Sequence, residues 1–141
     1  MDPISILSAL AGITSAGATV VASLYTLVQT VRNAPAEMKD IAREMSDLTC
    51  VLEHLHELAS EGHRLQLVKP GLFRIVKSSV ENIGKTQDEI LGMIDDRSII
   101  RRLRWKKSKP LLDQIQTHKL TICMQVSILS WGTAIKKHSS E

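Results

Sequence analysis

Aromatic side chains are scarce in this 141-residue chain, at 3% of residues against 43% for all hydrophobic ones. A buried core must therefore consist mainly of Leu, Ile, Val, Met and Ala. Glycine and proline are also few, with seven and four residues. Sandwiches and barrels need frequent turns and many aromatic or β-branched residues, so this composition favours helices. The length predicts one domain over residues 1–141, large enough to bury a core.

Cysteines are few as well, and recognisable catalytic motifs are absent. Cys50 and Cys123 alone do not make a disulfide framework, which makes a reducing intracellular setting the simpler interpretation. The sequence has no glycine-rich phosphate loop, no Cys-x-x-Cys pair and no His-Glu-x-x-His zinc motif. Cys50 and His54 are four residues apart, but two ligands do not make a metal site. We therefore predict no catalytic residue, no metal and no cofactor, and a protein that is not an enzyme.

Charged residues are absent between Asp2 and Arg32. Asp2 can cap a helix and Pro3 suits a first helical position, so we predict a helix over about residues 3–32. The 28 residues from Ile4 to Val31 would reach about 42 Å at ~1.5 Å per residue, more than a hydrocarbon core of ~30 Å. A soluble surface helix normally carries charge on its outer face. This helix is therefore either enclosed by other helices or destined for a membrane, and we favour a soluble bundle at rest.

Two stripes follow helical spacing along this first helix. The aliphatic stripe contains the residues predicted to insert into a membrane: Ile4, Ile6, Leu7, Leu10, Ile13, Val20, Val21, Leu24 and Val28. The second stripe is small and weakly polar: Ser8, Gly12, Ser15, Thr19 and Ser23. Small residues four apart permit close approach of helices in a bundle or in a membrane. A signal peptide fits poorly, because the segment opens with Asp2 and not with basic residues.

Three further apolar periodicities predict helices over residues 36–61, 70–95 and 109–136, with proline or glycine between them. The fold class is therefore all-α, a four-to-five-helix bundle with an uncharged N-terminal helix. The last helix has a second apolar face, made of Leu120, Met124, Ile128 and Trp131. An apolar surface that covers two faces of a helix indicates that the helix is enclosed by several others or that it contacts a partner.

Basic residues are concentrated in the C-terminal part. Ten basic residues and one acid lie from Arg97 to Lys137, whereas seven acids and two bases lie from Glu37 to Glu61. This asymmetry indicates an anionic partner, or pairing with the acidic helix. We predict contact with anionic lipid for Arg101, Arg102, Arg104, Trp105, Lys106, Lys107 and Lys109. The alternative is a solvated hairpin whose Trp105 packs on the next helix, while nucleic acid is disfavoured because no stacking platform accompanies the charge.

Three stretches of the sequence carry a resemblance to a known family. The first is the opening Met1-Asp2-Pro3-Ile4-Ser5-Ile6, which runs straight into the uncharged helix. The second is Leu103-Arg104-Trp105-Lys106-Lys107-Ser108-Lys109, leading into Leu111-Leu112-Asp113-Gln114-Ile115, and the third is the closing Lys119-Leu120-Thr121-Ile122. Together they resemble the HeLo-like domains found at the N-terminus of fungal STAND (NLR-like) receptors, and the resemblance spans nearly the whole chain.

The resemblance implies a helical bundle that executes regulated cell death in heterokaryon incompatibility and fungal innate immunity. An upstream receptor or signalling domain gathers such domains, and their N-terminal helix enters and permeabilises the plasma membrane. We therefore expect a cytoplasmic domain, excised from a longer protein or stand-alone, that reaches the plasma membrane on activation. Its expected partners are anionic lipids and further copies of itself, with no nucleic acid. The alternative is a non-lytic adaptor that binds partner domains through its helical faces.

Overall fold

The structure is a computed structural model that describes residues 2–95 and 101–140, with all side chains except those of 101–103, 133 and 136–140. It has five helices: α1 (Pro3–Thr30), α2 (Ala36–Arg64), α3 (Pro70–Asp95), α4 (Arg101–Lys106) and α5 (Lys109–Ser140). No strand occurs in these residues. The all-α bundle is confirmed, and α3 has its predicted bounds. The helices α2 and α5 extend beyond their predicted ends, and α1 ends earlier.

The helices α1 and α5 each pack against both α2 and α3. Ile6 shares a groove with Arg74, and Leu27 shares another with Ile94, so α1 and α3 run in the same direction. The bundle therefore leaves α1 and α5 each with one face on the core and another face outside it.

The core consists of the apolar stripes that the sequence predicts. The α2 seam is at most 1% exposed along its whole length: Met38, Ile41, Met45, Leu48, Leu52, Leu55 and Ala59. The same core cluster includes Phe73, Val76, Ile83 and Ile90 of α3, all buried. Each fully buried Leu, Ile or Met contributes about 1.5–3 kcal/mol relative to an exposed one, so the seam makes a large contribution to stability.

The end of α2 differs from the prediction. The sequence suggests an end near Glu61 and Gly62, because glycine commonly follows a helix, but α2 continues to Arg64. The turn occurs at Gln66, whose φ of 57° is left-handed. The N–H groups of Gln66 and Leu67 donate to the carbonyls of His63 and Gly62, which is the Schellman pattern. Gly62 is required inside the helix instead, because a Cβ there would clash with the Val68 side chain.

The short helix α4 turns the chain into α5 around a buried tryptophan. Trp105 is fully buried and belongs to the hydrophobic core. Its carbonyl accepts hydrogen bonds from the backbone N–H and the hydroxyl of Ser108. The indole therefore anchors the corner between α4 and α5.

At Gly17 the backbone of α1 lies close to both α2 and α3. A Cβ at Gly17 would lie 2.7 Å from Thr49 Oγ1 of α2 and 3.2 Å from Gln87 Nε2 of α3. Beside it, Gln87 Nε2 donates to the carbonyl oxygen of Ile13 at 3.0 Å. The absence of a side chain at Gly17 therefore permits the close packing of α1 on α2 and α3.

Gly17→Leu is expected to lower the free energy of unfolding by about 1–3 kcal/mol, because overpacking at this contact forces α1 away from α2 and α3. Gly12→Ala in the same helix is the matched control, since a Cβ at Gly12 meets nothing within 4 Å. Relief of the glycine penalty should stabilise that variant by up to ~1 kcal/mol. Urea unfolding followed by circular dichroism measures both, and equal effects of the two changes would contradict the assigned contact.

Candidate functional site

The aliphatic stripe of α1 is part of the core. Among the residues predicted to insert, Ile6, Leu10, Val20 and Leu24 are buried. Four more are partly buried and pack against the core, and Ile4 is exposed: the four are Leu7, Ile13, Val21 and Val28. In this conformation the stripe faces protein, so contact with lipid would require α1 to leave α2 and α3.

The small polar stripe of α1 lies on the opposite, solvent-exposed side. Ser8, Gly12, Ser15 and Thr19 are exposed, and Ser23 is half-buried. Within the described bundle, these small residues therefore do not make the close helix contact that was predicted for them. This face carries no charge from Pro3 to Thr30. It is an uncharged surface in water, which is unusual for the outer face of a soluble helix.

The threonine hydroxyls of α1 are satisfied by their own helix. Thr14, Thr19 and Thr26 donate to the carbonyls of the residues four earlier, at 2.8, 3.3 and 3.0 Å. Thr30 donates to the Leu27 carbonyl at 3.2 Å. A hydroxyl bonded in this way does not depend on water, so these side chains would tolerate an apolar environment. Within the described residues, α1 is the one helix long and apolar enough to cross a membrane.

A side-chain hydrogen bond links α1 to the rest of the described bundle: Gln87 donates to the Ile13 carbonyl. The start of α1 is capped internally, since Ser5 N–H donates to Asp2 Oδ1 at 2.7 Å. That hydrogen bond lowers the pKa of the Asp2 carboxyl, because it favours the charged form. The attachment of α1 is thus almost entirely apolar.

The predicted lipid-contacting cluster divides into exposed bases and one buried ring. Arg104, Lys106, Lys107 and Lys109 are exposed around α4 and the start of α5. The prediction that Trp105 contacts lipid needs correction for this conformation, because the ring is fully buried under the corner. Arg101 and Arg102 lie in α4, but their side chains are outside the described ones.

One base of α5 pairs with the acidic helix. Lys119 Nζ lies 2.6 Å from Glu44 Oε2 and 3.6 Å from Asp47 Oδ2 on α2. The hydrogen bond to Glu44 raises the pKa of Lys119. Intramolecular pairing therefore accounts for this part of the charge asymmetry. Lys109 contacts only an exposed neighbour among the described residues, Asp113 at 3.5 Å, a pair worth little in water.

A polar contact at the interface between α3 and α5 was not predicted from the sequence. His118 Nε2 lies 2.8 Å from Thr86 Oγ1. Partial burial lowers the pKa of His118, because the charged imidazolium is less well solvated there. The neutral ring is therefore favoured in the fold. The two residues are 32 positions apart, so no local pattern could have paired them.

The cysteines come together at one surface depression. Cys50 and His54 of α2 and Cys123 of α5 line a shallow pocket of about 360 Å³. Sequence spacing indicates the Cys50–His54 pair, whereas Cys123 joins it through tertiary packing. Even so, no three His, Cys, Asp or Glu side chains among the described residues are placed to hold a metal ion.

The second apolar face of α5 is exposed. Leu120, Met124, Ile128 and Trp131 all point away from the core, as does Ile135 one turn later. The sequence left open whether this face is enclosed by helices or contacts a partner. Among the described residues, no helix encloses this face.

A family model matches residues 1–130, and its description is "Pigment biosynthesis cluster protein PigL N-terminal". The chain belongs to the PigL_N family. The match includes α1, the basic corner and α5 as far as residue 130, so it leaves out Trp131 and Ile135 of the exposed α5 face. Comparison with curated proteins and with solved structures gives no match.

Proposed function

We propose that this PigL_N domain is a membrane-targeting effector of regulated cell death, of the HeLo-like kind. At rest it is a cytoplasmic bundle, and on activation α1 enters the plasma membrane and permeabilises it. One observation carries the proposal: α1 is an uncharged helix of membrane-spanning length, attached to the bundle by apolar contacts and a hydrogen bond from Gln87. Such an attachment can be exchanged for lipid without separating an ion pair.

Insertion of α1 into a bilayer would recover part of the free energy lost on its release from the bundle. Each Leu, Ile or Val contributes about −0.3 to −0.6 kcal/mol at the centre of a bilayer, which offsets part of the cost of removing α1 from the core. Clustering by an upstream receptor or signalling domain would place several α1 helices together. Their small polar faces would then pack on one another or line water, since small residues permit close helix contact.

The exposed bases around α4 would hold the domain at anionic lipid. Arg104, Lys106, Lys107 and Lys109 lie on one corner, and each cation near such a surface is worth about 1 kcal/mol. This role needs no catalytic group and no nucleic acid. The family description names the N-terminal region of a larger protein, a position that agrees with the HeLo-like domains of receptors.

A non-lytic adaptor is the second candidate, and the exposed apolar face of α5 favours it. An adaptor would bind partner domains through that face and would keep α1 in the bundle. Leakage of vesicles distinguishes the two functions.

Locking α1 to α2 should abolish leakage of anionic vesicles. The site is Gly17 and Thr49, because a Cβ at Gly17 lies 2.7 Å from Thr49 Oγ1, which suits a disulfide. The variant is Gly17→Cys with Thr49→Cys, made in a background with Cys50→Ser and Cys123→Ser. We expect no dye release when it is oxidised and full release after addition of a thiol reductant.

The control for the lock is Thr49→Cys alone in the same background, which cannot form the bridge. With this control, dye should leak from the vesicles at the same rate with and without reductant. Leakage by the oxidised double variant at that same rate would show that α1 does not leave the bundle.

Ser15→Lys tests α1 from its exposed face. Ser15 is exposed, so the lysine reaches water at rest and the thermal melt should remain cooperative. At a membrane centre the charge costs about 2.5–3.5 kcal/mol, so leakage and cell killing should be lost. Changes on the aliphatic stripe are unsuitable, because Leu10 and Val20 are core residues. A folded Ser15→Lys variant that permeabilises at the original rate would exclude α1 as the inserting element.

The basic corner is tested by Arg104→Gln, Lys106→Gln and Lys107→Gln together. About 1 kcal/mol per cation predicts a hundredfold or greater loss of affinity for phosphatidylserine vesicles in co-sedimentation. The control makes Lys39→Gln, Lys69→Gln and Lys85→Gln, which removes the same charge from exposed residues elsewhere. Equal losses in both variants would indicate that net charge, and not this corner, directs binding.

A further inference from the structure

The exposed face of α5 carries a continuous apolar row. Its members follow one another at spacings of three and four: Leu120, Met124, Ile128, Trp131 and Ile135. No charged residue occurs between Lys119 and Lys136. Five large exposed side chains make a patch on the order of 600 Å², at the upper end for a monomer's surface. A row of this size indicates a contact surface.

An apolar groove of about 410 Å³ lies beside the row, between α5 and the start of α3. Its walls include Leu67, Leu72, Ile75, Ile128 and Leu129. Gly71 and Gly132 also line it, and a Cβ at either would meet nothing within 4 Å, so the groove is open there. It could accept a large apolar side chain.

Trp131 is the side chain best placed to fill such a groove on another molecule. It is 73% exposed and does not line the groove of its own chain. It follows Ile128 by one helical turn and precedes Gly132, so the ring and the groove belong to one surface. A projecting indole and an empty apolar groove are therefore adjacent on the same face.

We propose that this face pairs two copies of the chain in the conformation described here. Trp131 of each copy enters the groove of the other, with the two α5 helices crossing near Ile128. A two-fold axis through that point satisfies both contacts at once, as an isologous interface requires. The α5 row brings no charge into the interface. The pairing goes beyond the proposed membrane activity and does not rest on it, because it needs neither lipid nor release of α1.

The area available agrees with a specific but weak dimer. With Ile75, the exposed side chains of the row offer on the order of 700 Å², near the ~800 Å² per partner of a standard interface. Tryptophan in a desolvated pocket is the commonest kind of interface anchor. We expect a dissociation constant in the micromolar range, since area alone does not give high affinity.

Sedimentation velocity on the 141-residue chain without lipid tests the pairing, over concentrations from micromolar to millimolar. The wild-type chain should progress from monomer to dimer mass. Trp131→Ala should raise the dissociation constant about thirtyfold or more, the effect of losing a central anchor. Tyr25→Ala is the matched control, since it removes an exposed aromatic residue from α1 and should leave the constant unchanged.

Gly132→Leu separates loss of pairing from loss of folding. A Cβ at Gly132 meets nothing within 4 Å, so leucine can be accommodated there, and because Gly132 lines the groove the longer side chain should obstruct its mouth. Leucine is a better helix former than glycine, so the dilute variant should melt at a higher temperature while its dimer is lost as in Trp131→Ala.

Tryptophan fluorescence gives a second measurement. Trp105 is already buried within the single chain, so a blue shift of emission with rising concentration reports Trp131. The shift should be present in the wild type and absent in Gly132→Leu. A wild-type chain that stays monomeric throughout, or dimers of unchanged affinity in both Trp131→Ala and Gly132→Leu, would overturn the pairing.

Discussion

The packing of an uncharged helix against two charged amphipathic ones governs this structure. At Gly17 the backbone of α1 lies so close to Thr49 and Gln87 that an added side chain would force neighbouring atoms to shift. The amide of Gln87 is buried there and reaches the Ile13 carbonyl, which satisfies a polar group that would be costly to leave unpaired. The other contacts of α1 with the described part of the bundle are mainly apolar.

Charge distribution gives the two outer helices different attachments. α1 has no charged side chain, whereas α5 is joined to α2 by Lys119 and its acidic partners Glu44 and Asp47. Glu44 is almost completely buried, so removing Lys119 would leave a carboxylate with poor solvation. The contact of α5 with α2 therefore includes a partly buried ion pair, which the described contacts of α1 do not.

Much of the fold could be predicted because its signals are local. The apolar seam of α2 recurs at three and four residues, and each predicted member is buried. The candidate site was harder to predict from the sequence. Trp105 stands among seven cations and suggested a membrane-facing ring, yet the corner after α4 turns it into the core. A tryptophan within a basic run has the same local pattern in both cases, and only the direction of the next helix decides between them.

By itself, the sequence determined the helical class, the uncharged character of α1 and the concentration of bases near the C-terminus, since composition and periodicity depend on neighbouring residues alone. Tertiary structure decided which faces are covered. It placed most of the aliphatic stripe of α1 inside and most of its small polar stripe outside, and the large side chains of the row from Leu120 to Ile135 are exposed. Contacts such as Gln87 with Ile13, or Thr86 with His118, join residues far apart in the chain. Their geometry depends on how whole helices pack, which no local pattern specifies.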